Sequence, residues 1–307
     1  MSFWLNRGTP SPPRKTPETT SAPTKVVAAA ITTSTLKVQT YSLVRGGIQK
    51  LLSRFRSDDA VAERVVLDIL GGDGLVRKVA AHLRISGLDI LTCDMSKHMS
   101  HSAWASGMPA ILQRANRLLC RSRSVDGVLL AYGTHHIEPY ERPSAFKEAH
   151  RVLRPGGVLV VHDFEVGGAM EEWFETIVDP FYETGHGFKH FTRDGLAAYT
   201  EIAGFSRYRI FDMVDSYRIV AESPEDAELR MGKYLVDMYG LVKVEQSSGA
   251  EEAARWVMGK ARDIFGRKSP AIGPIFDKAD QIWRIEVPRT ALVAVIGMRP
   301  QAGLSRL

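Results

Sequence analysis

The sequence predicts an α/β fold, a mostly parallel sheet wrapped by helices, and three stretches carry that prediction. VVLDILGGDGLVRKVA, from Val65 to Ala80, passes from an apolar β-type run through a glycine-rich bend into a helical pattern. ILTCD closes a second apolar run at Asp94, and a third buried run spans Asp126 to Tyr132. EAHRVLRPGGVLVVHDFE, Glu148 to Glu165, then reads as helix, Pro-Gly-Gly turn and strand. Strands alternating with helices in this way build a parallel sheet with its ligand at the strand ends.

The first stretch carries the most chemistry. Asp68 ends the strand, Gly71, Gly72 and Gly74 make the bend, and a helix begins, so backbone N–H groups can approach an adenosyl cofactor. A dinucleotide fingerprint would need glycine at position 77, where Arg77 stands. Asp94, twenty residues after Gly74, is placed to accept hydrogen bonds from ribose hydroxyls.

Together these segments resemble the class I S-adenosyl-L-methionine (SAM) methyltransferases. Asp68, Leu70, Gly72 and Gly74 match the family's first motif, with Leu70 in the first glycine place and Gly71 beside it. Asp94-Met95-Ser96-Lys97-His98-Met99 resembles the family's acid-x-Ser-x-x-Met loop. The run from Asp126 and the Pro-Gly-Gly turn match the fourth and fifth strands. The resemblance covers residues 61 to 211 and implies a seven-stranded Rossmann-like sheet. It further implies Asp68 at the glycine turn or the cofactor's amino end, Gly71, Gly72 and Gly74 admitting the cofactor, and Asp94 on the ribose. Met95, Met99 and Tyr132 would line the nucleoside, Met99 covering the adenine. The family's adenine-binding acid is missing: Ala115-Asn116 stands there, with Asn116 offering its carbonyl instead.

The segments outside this core set further expectations. Residues 1–24 are rich in Pro, Ser and Thr and read as a disordered lead. Residues 25–57 have helical spacing and read as two helices broken at Gly46-Gly47, covering the pocket or crossing to another subunit. The SAM-binding core is 58–217, including an aromatic lid, 166–191. A helical insertion occupies 218–283, with a capping hydroxyl at Ser223, a second capping box at Ser248 and Glu251, and a stop at Gly266. The last strand and tail are 284–307. Either the N-terminal helices or the insertion would serve homo-oligomer packing.

Composition narrows the partners. Of 40 Lys/Arg and 35 acids, residues 1–60 hold nine bases against three acids, leaving 31 against 32 beyond. A basic surface around a catalytic mouth is therefore not expected, which argues against nucleic acid as substrate. No apolar run is long enough to span a bilayer. Cys93 and Cys120 form no CxxC pair, so a reducing cytoplasm is expected.

Methyl transfer from sulfonium is an in-line displacement, which asks for alignment and exclusion of water more than covalent help. An oxygen or nitrogen acceptor also needs a base, and His136, just past the fourth strand, is the first choice, with His162 and Tyr41 as further catalytic candidates. A carbon acceptor would pass through a carbocation, which suits an aromatic-walled pocket. Trp173, Phe174, Phe181, Phe188 and Phe191, with His135, are the candidate acceptor-binding residues. The added helices and aromatic lid resemble the terpenoid C-methyltransferases of bacterial specialised metabolism, of the teleocidin type. That resemblance implies a small hydrophobic acceptor and C-methylation of a prenyl or terpenoid chain, with cyclisation to follow. Alternatives are O- or N-methylation of another small metabolite or lipid, or a non-catalytic scaffold subunit. His186 and His190, four apart, find no third metal ligand in the sequence, and no metal site is expected.

Overall fold

The computed structural model describes residues 46–56, 63–182, 189–268 and 271–298. A short helix, α1 (Gly47–Leu52), precedes β1 (Arg64–Ile69), α2 (Leu75–His82), β2 (Leu88–Asp94), α3 (Lys97–Ala105), β3 (Ala110–Leu112) and β4 (Val125–Ala131). α4 (Arg142–Val152) leads into β5 (Leu153–Asp163). α5 (Ala169–Trp173), a π-helical turn (Phe174–Val178) and α6 (Asp179–Phe181) follow, then α7 (Arg193–Ile202) and β6 (Arg207–Val214). Beyond it come β7 (Tyr217–Ala221), α8 (Pro224–Tyr239), α9 (Val242–Ser248), α10 (Ala250–Phe265), β8 (Ile275–Asp277), β9 (Ile282–Val287) and β10 (Thr290–Gly297).

Seven strands form one sheet in the order β3-β2-β1-β4-β5-β10-β6, parallel except for β10, which runs antiparallel to both neighbours. The period-two pattern of the central strands divides the core. Val66, Ile90, Leu129, Val160 and Val293 face one layer, containing α1, α2 and the inserted helices. Leu67, Ile69, Leu130, Val161 and Leu292 face the other, with Phe146 of α4 and Leu196 of α7. The strand order reverses between β1 and β4, which opens the crevice where a ligand binds in such sheets.

Gly46-Gly47 opens α1, while residues 1–45, with the expected lead and first helix, lie outside the described residues; Gly47 N–H donates to Asp215 Oδ1 at 2.9 Å, and a Cβ on Gly47 would meet that oxygen at 2.2 Å. Two expectations outside the core are corrected, both in the insertion. The insertion is not purely helical, because β7, β9 and β8 make a second, antiparallel sheet under α8. Ser248 does not cap α10; it belongs to α9, its Oγ donates to the Val244 carbonyl, and Gly249 at φ +82° makes the break. Ser223 caps α8 by accepting from Asp226 N, Thr192 caps α7 by accepting from Gly195 N, and α10 stops at Gly266.

The lid segment is packed down over its described residues 166–182. Trp173 is wholly buried, 5.6 Å from Tyr239 and 5.2 Å from Phe265 between ring centroids, and Phe181 lies edge-on to Trp256. Arg267 grips Glu172 through two nitrogens. Lid and insertion therefore share one apolar core.

Candidate active site

The glycine bend is built by backbone strain at the end of β1. Leu70, where the family motif carries glycine, holds φ +63°, and Gly72 and Gly74 follow at +59° and +86°. An L side chain in the left-handed region costs roughly 1–2 kcal/mol. A second strained residue, Tyr132 at φ +59°, ends β4. The two bends come close across the crevice, since a Cβ on Gly133, the residue after Tyr132, would lie 3.5 Å from the Leu70 Cβ. Strain concentrated on both sides of a topological switch point marks a place where backbone direction serves a ligand.

Asp94 ends β2 with its carboxylate fixed by two amides. Oδ2 accepts from Gly72 N at 2.9 Å and Oδ1 from Ser96 N at 2.8 Å. Ser96 then caps α3 by accepting from Met99 N, which seats Met99 under the bend, its sulfur 4.0 Å from where a Gly72 Cβ would stand. Each carboxylate oxygen retains a lone pair for a ribose hydroxyl. Burial pushes the Asp94 carboxyl up, and the amide donors oppose that shift. Met95 is exposed beside it.

Asp68 lies wholly under the bend. A Cβ on Gly71 would strike its Oδ2 at 2.4 Å, so glycine is required there. Burial, followed by the nearby charges of Asp94 and Asp73, pushes the Asp68 carboxyl up to about 8. Its Oδ2 has no hydrogen-bond partner among the described residues, and neither has Gln113 Nε2 at the end of β3. Gln113 was missed in the sequence because a lone glutamine carries no motif. Asn116 is anchored through its amide, which donates to Glu141 Oε1 at 3.0 Å.

Around the ends of β4 and β5 two buried polar clusters stand side by side. In the first, Asp163 ends β5 and accepts from His135 N at 2.6 Å and from Phe164 N at 2.7 Å. The Nδ1 atoms of His135 and His190 lie 3.0 and 3.4 Å from its Oδ1. Phe174, on the π-helical turn, packs its ring 4.9 Å from His190 and 5.8 Å from His135. Burial alone would raise the Asp163 carboxyl, but the two imidazoles outweigh it and hold it well below the usual carboxylate range. In the second, Asp215 Oδ2 takes Arg289 Nη2 at 2.8 Å and His162 Nε2 at 3.2 Å, and Tyr132 stacks on the His162 ring at 4.4 Å.

This geometry sorts the predicted residues. Asp68, Leu70, Gly71, Gly72, Gly74, Asp94, Met99 and Tyr132 gather at the crevice. His136 is exposed at the rim, its ring 4.4 Å from that of His135. His162 is corrected from mouth to core, because it is fully buried and engaged by Asp215. Trp173 is a core ring between lid and insertion. Phe191 faces the opposite layer, stacked under the Arg142 guanidinium at 4.0 Å, and is not a pocket wall. Tyr41, Phe188 and His186 lie outside the described residues. The partners Asp163, Asp215 and Arg289 escaped the sequence reading; the one signal was the acid closing the VLVVHD strand.

Comparison with known proteins agrees with this arrangement. Residues 67–161 match the methyltransferase domain family. Those residues carry a methyltransferase domain. Over 132 residues the chain is 29% identical to the ubiquinone/menaquinone biosynthesis C-methyltransferase of Hahella chejuensis, covering 40% of this chain and 52% of that protein. The match thus spans about half the length of the curated relative. Among solved structures, YcgJ of Bacillus subtilis superposes with a TM-score of 0.50 at 16% identity, over 82% of this chain and 98% of that one. A phosphoethanolamine N-methyltransferase of Haemonchus contortus, solved with S-adenosylhomocysteine, gives 0.51 at 15% identity over 87% and 57%. The last two likenesses concern the fold. SAM is the cofactor of such a domain, and this site fits it: a strained glycine bend, an amide-fixed carboxylate at Asp94, and unpartnered polar atoms on Asp68 and Gln113. No described helix is long and apolar enough to cross a membrane.

Proposed function

We propose that this chain transfers a methyl group from SAM to a small hydrophobic acceptor, with C-methylation of a prenyl or terpenoid chain as the favoured reaction and cyclisation as a possible sequel. The observation that carries the reading is the pairing of the Asp94–Gly72 cradle with the buried Phe164–Phe174 ring wall beyond it. The C-methyltransferase named among its relatives, whose biosynthetic products are quinones, supports carbon as the methylated atom.

When bound, SAM supplies an electrophilic methyl on positively charged sulfur. Asp94 and the bend orient the nucleoside, Met99 closes on it, and the docked lid excludes water from the acceptor side. Ring faces of Phe164 and Phe174 stabilise positive charge developing on the acceptor without offering a nucleophile. O- or N-methylation of another metabolite would use the same cradle with a stronger demand for a base. A cytoplasmic location and a homo-oligomer packed through the N-terminal helices or the insertion complete the reading.

Calorimetric titration with SAM and with S-adenosylhomocysteine tests the first half, and binding of neither leaves a scaffold subunit as the surviving reading. Incubation with methyl-labelled SAM and a panel of prenylated aromatic and alkaloid acceptors, read by mass spectrometry, tests the second. Label on oxygen or nitrogen alone would replace the carbon reading.

A further inference from the structure

We propose that His135 and His190, both held by Asp163, form the proton-accepting centre of this site, and that Asp163 is their positioning residue. The inference rests on the methyltransferase reading and adds to it the group that removes the acceptor's proton.

The geometry is specific. One buried carboxylate faces two buried imidazoles through the same ring atom, Nδ1, and the two ring centroids are 5.2 Å apart. Asp163 accepts the backbone amides of His135 and Phe164 as well, so both oxygens are acceptors and the carboxylate is ionised. An ionised acceptor requires that each Nδ1 carry its hydrogen, which leaves each Nε2 as the lone-pair nitrogen. This is how a carboxylate turns an imidazole into an oriented base. Two such rings on one carboxylate make the centre net negative when both are neutral and net neutral after one proton is taken up.

Among the described residues, other elements bring charged groups up to this centre. Arg142, from α4, donates to the carbonyls of His190 and Lys189 and lies close enough to act on Asp163. Asp179, from α6, interacts electrostatically with Glu175 of the π-helical turn and with His190. The His136 ring packs on His135, and Phe164 and Phe174 wall the rest.

The step balances as a proton transfer. Alkylation leaves the acceptor one proton in excess; its C–H, O–H or N–H bond breaks with the electron pair staying on the acceptor, as a new double bond in the carbon case. The proton goes to Nε2 of one imidazole, and the imidazolium is paired with Asp163. A base at this position accounts for why two histidines are buried beside apolar rings, where a histidine without a carboxylate is costly to charge.

The test needs no acceptor. Full-length protein labelled with ¹⁵N-histidine, with the rings assigned by His135→Gln and His190→Gln, is followed by long-range ¹H–¹⁵N correlation from pH 5 to 9. At high pH both rings are expected as the Nδ1–H tautomer, and Asp163→Asn should abolish that preference. Because Asp163→Asn also disturbs two loop amides, His190→Gln is the parallel variant, and it should leave the His135 tautomer intact. An Nε2–H tautomer in both rings overturns the proposal. So does a shift of both rings on adding one equivalent of Zn²⁺ to SAM-binding protein, which would make the cluster a metal centre. If SAM does not bind at all, the methyltransferase reading fails, while the tautomers still report on the proton centre. With an acceptor in hand, His190→Gln combined with His135→Gln should lower kcat about 100-fold with the SAM affinity unchanged.

Discussion

Arg289 is clamped to Asp215 twice: Nη2 meets Oδ2 at 2.8 Å and Nε donates to the Asp215 carbonyl at 3.0 Å, with neither side chain open to solvent. Asp215 reaches from there to Gly47 N on α1 and to His162 on β5. The guanidinium also lies on the Tyr217 ring, 3.7 Å from its centroid. One ion pair thus ties the N-terminal helix, the fifth strand and both ends of the insertion into one body behind the crevice.

Breaking that pair should be costly. Asp215→Ala or Arg289→Ala leaves a buried charge alone, and each is expected to lower stability by about 3–5 kcal/mol in urea unfolding. The exposed pair Arg218–Glu286, in the small sheet, supplies the contrast, with about 1 kcal/mol or less for Glu286→Ala. Equal effects would show the clasp to be dispensable.

Gly46 and Gly47 should respond differently to alanine. At Gly47 the added Cβ meets Asp215 Oδ1 at 2.2 Å, whereas at Gly46 nothing lies within 4 Å. Gly47→Ala is expected to cost about 2 kcal/mol or more by overpacking, and Gly46→Ala to change stability by about 0.5 kcal/mol or less. Thermal melts of the two variants check it.

Asp68 predicts a pH dependence whose sign differs from that of a salt-bridged acid. Its folded pKa, about 8, lies above the ordinary value of 3.8, so between these limits the folded chain holds a proton that the unfolded chain has lost. The stability it contributes is complete below about pH 4 and is lost as pH rises, with a slope of about 1.4 kcal/mol per pH unit, until it levels near pH 8. Asp68→Asn should flatten that decline in the ligand-free protein. Parallel urea curves at pH 5 and pH 8.5 measure it, and an unchanged slope in the variant would remove Asp68 as its source.

Asp94→Ala should weaken SAM binding by about tenfold or more while the fold survives, because the residue serves the bend through amides at the crevice and not through the core. Calorimetry alongside a melting curve separates the two effects, and unaltered SAM affinity would contradict the ribose assignment.

Gly232 lets α8 lie close against α10, since a Cβ there would meet the Ala254 carbonyl oxygen at 2.3 Å. Gly232→Ala should push α8 from α10 and destabilise by about 2 kcal/mol, whereas Gly259→Ala, with open space around it, should not. Loss of protection in hydrogen exchange confined to α8 and α10 would locate the damage.

The sequence by itself determined the cofactor half of this protein. Strand, bend and helix from Val65 to Ala80, the acid closing ILTCD and the Pro-Gly-Gly turn are local patterns, and each places its chemistry within a few residues of the backbone feature that needs it. The cap at Ser223 and the stop at Gly266 were legible for the same reason. The buried polar clusters at the ends of β4 and β5 were decided only by tertiary structure. Asp163 meets His190 across 27 positions and His162 meets Asp215 across 53, while Arg289 reaches back 74 to the same acid. A charged side chain looks alike in sequence whether it faces water or a partner, so these pairings were invisible there. Aromatic spacing likewise could not tell Phe174, beside the imidazoles, from Phe191 on the opposite layer, because which layer a ring joins is set by long-range packing.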